Sequence, residues 1–255
     1  LFFLLSLLFV EGILRAFFPV HMLDPIEAFQ YDEELGVRLK PGLHFFRTTD
    51  YQEETLTSRI GSVNFQESFE DYEILVFALG DSYTRGVGVP ADASYPFQLD
   101  LMLNLQGGRY VKKYGIVNLA LGAFGVEQVI LTMRRYQKMI GTPGYVLFLG
   151  CSNDYGDDFL FKSGYRHKHL VAGSPYWGFW LRPLQWLGHK TEIGKRLKLG
   201  VKMIRQKPLK QQGGSNVAAL QEPILRKLTE IAKDFSAILI VGWAEPSNDP
   251  ASSYQ

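Results

Sequence analysis

Four short apolar runs constrain the fold class most. EILVFAL (73–79), YGIVNLAL (114–121), GYVLFLG (144–150) and SAILIVGW (236–243) are dominated by Val, Ile, Leu and Phe. A strand wetted on one face alternates apolar and polar residues, whereas a run apolar throughout suits a parallel strand covered on both faces. Segments of helical period separate these runs. SYPFQLDLMLNL (94–105) follows Asp92, which is read as its cap. VEQVILTMRRYQKMI (126–140) stops before Gly141 and Pro143, and EPILRKLTEIAKDF (222–235) is amphipathic with Pro223 near its start. The order strand, helix, strand, helix, strand, long insert, helix, strand predicts an α/β sandwich around a parallel sheet.

Composition supports a folded core. Hydrophobic residues make up 46% of the 255 and charged residues 21%, enough apolar content to exclude a disordered chain. The formal net charge of +1 gives no global attraction to nucleic acid. Cys151 is the only cysteine, so no intrachain disulfide forms and a cysteine-built metal site is not supported.

LFFLLSLLFVEGILRAFFPV (1–20) is apolar except for Ser6, Glu11 and Arg15. It is read as a membrane anchor helix, stopped by Pro19. Glu11 and Arg15 are four apart and share a helix face at the headgroup end. No small-x-small site follows, which argues against a cleaved signal peptide. Residues 21–72 read as a connecting region with room for short strands, and 73–255 as the α/β domain. Both chain ends look cut, so the domain is read as incomplete at its C-terminus. An insert over 157–221 contains YWGFWLRPLQWLGHK (176–190). From Arg182 to Lys210 it holds nine Lys or Arg and one acid, Glu192. That pattern suits a helical pair with solvated lysines, a membrane-interface segment, or a cap over an acyl-binding cleft.

Ligands of open parallel sheets bind beyond the carboxyl ends of the strands. There the first run ends in Gly80-Asp81-Ser82. The second runs through Asn118 to Gly122-Ala123-Phe-Gly125. The third ends in Gly150-Cys-Ser-Asn153-Asp154. All three deliver polar groups or glycines to one rim.

GDSYT, then Gly122-Ala123, then Ser-Asn153-Asp154, resembles the first three sequence blocks of the SGNH (GDSL-type) hydrolases. The anchor with its Glu–Arg pair resembles the membrane-tethered bacterial members. The resemblance implies a three-layer α/β/α, flavodoxin-like fold and an acyl-serine esterase mechanism with no cofactor and no metal. By it Ser82 is the nucleophile, which needs an adjacent base. The oxyanion donors are the Ser82 N–H, an N–H of the Gly122–Ala123 turn and the Asn153 amide. Which of Gly122 and Ala123 donates stays open. Two residues depart from the pattern: Ala123 stands at the family's glycine when counted from Asn118, and Cys151 stands two before the asparagine, where the family has glycine. The family's Asp-x-x-His block is absent. The five histidines are His21, His44, His167, His169 and His189, and none has an aspartate three residues before it. The chain as given is therefore expected to lack a working triad, with the histidine beyond it.

The remaining residues have plainer readings. Asp81 fixes its turn and Asp154 braces its loop, each supporting rather than reacting. Cys151 reads as a small buried residue. Gly86-Val-Gly88 imitates a dinucleotide-binding pattern, but it comes late after the strand and Pro90 sits where the helix would open. His167 and His169 are two histidines without a third ligand. The expected substrates are acyl-ester small molecules, lipids or acylated glycans, with the membrane as partner through residues 1–20, no nucleic acid, and the domain outside the cytoplasm. Two rivals remain: an O-acyltransferase or deacetylase of an envelope polysaccharide, and a non-catalytic membrane-tethered binding module.

Overall fold

The computed structural model describes residues 2–18, 28–48, 52–64, 66–105, 113–151, 154, 157–158, 191–197 and 217–244. The apolar runs form four strands: β5 (Ile74–Gly80), β6 (Tyr114–Asn118), β7 (Tyr145–Cys151) and β8 (Ile238–Ala244). They pair in the order β6-β5-β7-β8, and every pairing is parallel. The sheet is therefore the parallel one that uniform apolarity predicts. The strand in the run 114–121 ends at Asn118, whose amide N–H donates to the Asn64 side chain at 3.0 Å.

Alternate residues of β5, β6 and β7 enter different cores, whereas Ile238 and Ile240 of β8, a run expected to be covered on both faces, are 57% and 50% exposed. Phe77, Leu79, Val117, Val146 and Phe148 pack with Val129 and Met133 of α4 (Val126–Ile140) and with Leu228 and Ile231 of α6 (Val217–Asp234). On the opposite face Val76, Ala78 and Ile116 meet Leu99 and Leu103 of α3 (Tyr95–Leu105). Helices on both sides of one sheet give the three layers expected. Before α3, α2 (Ser82–Arg85) is a single turn directly after β5. A further short helix, α5, spans 192–197.

Residues 28–64 form two antiparallel hairpins, β1 (Phe29–Asp32) with β2 (Gly36–Leu39), and β3 (His44–Thr48) with β4 (Gln52–Leu56). Ala28, Leu35, Val37 and Leu39 lie in the main core. Arg135 of α4 holds the first hairpin, donating from Nη1 to Asp32 Oδ2 at 2.6 Å and from Nη2 to Asp32 Oδ1 at 2.9 Å and Glu34 Oε2 at 2.7 Å. Burial would raise the Asp32 pKa, but these bonds and the nearby backbone N–H groups outweigh it and hold the carboxyl below its usual value.

Three expectations need correction. Asp92 does not cap α3: it lies in a 3₁₀ turn, Ala91–Ala93, and the cap position falls to Ser94, whose carbonyl accepts the Gln98 N–H at 3.0 Å. α6 begins at Val217, so Pro223 lies inside the helix rather than near its start. Among the described residues no helix is long and apolar enough to cross a membrane. The apolar N-terminal segment is α1 (Phe2–Phe17), 16 residues.

α6 ends in a Schellman motif. Ala237 N–H donates to Ala232 O and Ser236 N–H to Lys233 O, both at 2.9 Å, with Ser236 at φ 53°. A Cβ in that left-handed region is strained, so Ser236→Gly should stabilise the fold by up to about 1 kcal/mol, read as a higher urea midpoint with unchanged slope.

Candidate active site

The strand order creates the site. β6 lies on one side of β5 and β7 on the other, so the connections leave β5 and β7 in opposite directions and open a crevice between their carboxyl ends. β5 delivers Asp81 and Ser82 to that crevice, and β7 delivers Cys151 and Asp154.

Asp81 caps α2, accepting the Tyr83 N–H on Oδ1 at 3.0 Å. Ser82 is then the first residue of the helix, half-buried, with Oγ 3.5 Å from Asp81 Oδ2. Gly80 makes this abrupt exit possible. Its φ is 150°, and a Cβ there would come within 2.7 Å of the Leu149 carbonyl and strike the Thr84 side chain. Gly86 ends α2 at φ 83°.

The glycine turn closes on Ser82 from β6. A methyl group placed on Gly122 would sit 3.8 Å from Ser82 Cβ and 4.0 Å from Arg85 Nη1. Ala123 follows, exposed, at φ 65°. The turn is thus left-handed at the alanine, while the glycine faces the serine. Asn118 fixes the two turns together: fully buried, it donates from Nδ2 to Thr84 O at 3.1 Å and accepts the Ala120 N–H on Oδ1 at 3.2 Å. Its supporting role was visible in the sequence only as a polar residue ending a buried run.

Cys151 is where the structure adds most. Its thiol donates to Asp81 Oδ2 at 3.1 Å, its backbone N–H donates to Asp154 Oδ2 at 3.0 Å, and Asp154 Oδ1 lies 3.5 Å from the same sulfur. All three residues are buried. Cys151 therefore fills the space between the nucleophile turn and the third strand end, and its side chain links two carboxylates. A glycine at 151 would leave that link unmade. The candidate ligand atoms of these residues lie within 4.8 Å of one another, and hydrogen bonds among them and to backbone N–H groups engage them. Asn153, read as the third oxyanion donor, lies outside the described residues.

Among the described residues no histidine reaches Ser82: the one described, His44, pairs with Glu54 Oε1 at 2.8 Å on the β3–β4 hairpin. A cavity of about 20 Å³ lies behind α2, lined in part by Arg85, Asn64 and Asp100. It has room for about one water, and Ser82 does not line it.

Burial pushes the Asp154 pKa up from 3.8 to about 7, opposed by its bond from the Cys151 N–H and reinforced by the charges of Asp81 and Asp157. A protonated Asp154 donates towards Cys151, whose own proton goes to Asp81. The three then form a chain with one direction.

No family model matches the chain, and no curated protein matches it. Solved structures show a distant likeness. A serine-to-alanine mutant of esterase AlinE4 is 18% identical, with a TM-score of 0.32, over 68% of this chain and 77% of that one. An aspartate-to-alanine mutant of the same esterase gives 13% identity and a TM-score of 0.28 over 65% and 98%. AlinE4 itself, described as an SGNH-hydrolase family esterase, gives 14% and 0.28 over 67% and 100%. These identities and TM-scores are too low to assign a family or an activity.

The raised Asp154 pKa has a definite sign. The folded chain holds this proton more tightly than the unfolded chain, so the contribution is fully present below about pH 4 and is lost as pH rises through about 7. Asp154→Asn keeps an acceptor for the Cys151 N–H and removes the titration. Denaturant unfolding across this window should show wild-type stability falling relative to the variant. A parallel pH profile in the two proteins would contradict the assignment.

Proposed function

We propose that this chain carries the nucleophile turn and part of the oxyanion site of a serine ester hydrolase. One observation supports this above the others. Ser82 begins a helix turn directly after the central buried strand, at the switch point of a parallel sheet, with Gly122 packed against it. A hydroxyl so placed is reachable from the crevice, and the N–H groups at the start of α2 have no intrahelical acceptor.

In this reading Ser82 Oγ attacks the carbonyl carbon of an acyl ester while its proton passes to a base. The carbonyl π electrons move to the oxygen, and the resulting oxyanion is held by the Ser82 N–H, a Gly122–Ala123 N–H and the Asn153 amide. Collapse expels the alcohol and leaves an acyl-serine, which water hydrolyses. A sugar hydroxyl in place of water makes the same site an O-acyltransferase. The substrate is an acylated small molecule, lipid or glycan. The supporting residues are Asp81, which orients the turn, and Asp154, which braces β7 through Cys151.

The test is acyl-enzyme capture. After exposure to p-nitrophenyl acetate, the peptide that contains Ser82 should carry an acetyl group, and Ser82→Ala should carry none there. Because the chain as given is expected to lack its base, the readout is this label rather than turnover, and the variant should keep its circular dichroism. Absence of the label from Ser82 in the wild type would overturn the reading and leave the binding-module alternative.

A further inference from the structure

Two side-chain donors meet on one oxygen of Asp81. Its Oδ1 receives the Tyr83 N–H at 3.0 Å. Its Oδ2 faces the Cys151 thiol at 3.1 Å and the Ser82 hydroxyl at 3.5 Å. The distances decide which of the two holds that oxygen. A hydroxyl bound to a carboxylate closes to about 2.5–2.7 Å, so Ser82 falls well short of a full bond. Sulfur is larger than oxygen, and for a thiol 3.1 Å is a close contact.

The thiol is fixed from behind. Cys151 is buried, its N–H donates to Asp154 Oδ2 at 3.0 Å, and Asp154 Oδ1 lies 3.5 Å from the sulfur. The parallel register that pairs Gly80 with Leu149 sets Cys151 of β7 beside the end of β5. A thiol is a weak donor, but a buried one has little water to compete with a carboxylate for its proton. The resembled hydrolases have glycine at this position, which brings no side-chain donor.

We propose that Cys151 is a positioning residue for Ser82: its thiol occupies Asp81 Oδ2 and so keeps the serine hydroxyl from closing on that carboxylate. A full bond at about 2.7 Å would draw Oγ roughly 0.8 Å from its present 3.5 Å towards Asp81, and its proton would be held by an oxygen of its own turn. Misplacement on the order of 1 Å is enough to cost about 10²-fold in rate. Held off, Oγ stays at the crevice and its proton is available to a base. The consequence for acylation rests on the ester-hydrolase reading, whereas the competition for Oδ2 does not.

Cys151 is the one cysteine of the chain, so the infrared S–H stretch of the full protein reports this thiol alone. A stronger hydrogen bond lowers the frequency of that band. Ser82→Ala removes the competing donor and should move the band lower. Asp81→Asn keeps a helix-capping side chain but removes the charge, and should move it higher. A band unmoved by either substitution would overturn the competition. The second arm follows acetylation of Ser82 by p-nitrophenyl acetate over time. Cys151→Ala should slow it at least about 10-fold with unchanged circular dichroism, and Cys151→Ser, which restores a donor, should recover most of the rate. Equal rates in wild type and Cys151→Ala, or a Cys151→Ser as slow as Cys151→Ala, would overturn the positioning role. Should Cys151→Ala fail to fold, the Cys151→Ser rate and the two band shifts decide. Ser82 left unlabelled in the wild type would overturn the hydrolase reading and the role in acylation with it, while the band shifts still decide who holds Oδ2.

Discussion

The Asp81 carboxylate joins the elements on which the site depends. It leaves a strand buried on both faces, caps the helix turn that starts at Ser82, and accepts the thiol of Cys151 from the neighbouring strand. A polar group at the end of such a strand has little water to turn to, so its partners must come from the protein. Those partners are the turn that presents the serine and the strand that leads towards Asn153. The order of pairing, β6-β5-β7, makes the contact possible by bringing Cys151 of β7 beside the end of β5.

The second turn is held by different means. Asn118 ties the end of α2 to the end of β6, and Gly122 then lies against Ser82. Farther out, Gly125 packs so closely on Asp158 that no larger residue fits, and Asp158 accepts the Glu127 N–H at 2.9 Å, capping α4. The residues after β7 thus support the helix after β6. Arg135 draws the β1–β2 hairpin onto the same helix, and the Arg85 guanidinium lies 5.8 Å from the centre of the Phe29 ring. The segment before the sheet therefore shares its core.

α1 obeys a different constraint. Its apolar residues find no protein to cover them among the described residues, while its carboxylate finds two backbone donors at the start of α5. The same chain thus combines a domain in which the buried Asp81 and Asn118 bond internally with a helix whose apolar residues stand exposed.

The sequence by itself determined the four sheet strands, the parallel class, the span of α4 and the gathering of Ser82, Gly122 and Asp154 at one rim. Both-face apolarity and helical period are local patterns, so they survive without knowledge of neighbours. The hairpins over 29–56 were left as an undivided connecting region, since four- and five-residue strands with mixed polarity carry no clear period. The α3 cap was misplaced because Ala91–Ala93 forms its own turn, and the α6 start because Pro223 suggested a beginning that backbone geometry did not require. Only the tertiary structure decided that Cys151 bridges Asp81 and Asp154, that Gly122 rather than Ala123 faces the serine through its side-chain position, and that Glu11 reaches Glu192 and Ile193. Each is a contact between residues far apart in the chain or between turns of different strands. Such contacts are set by strand order and packing, to which no local run of residues gives access.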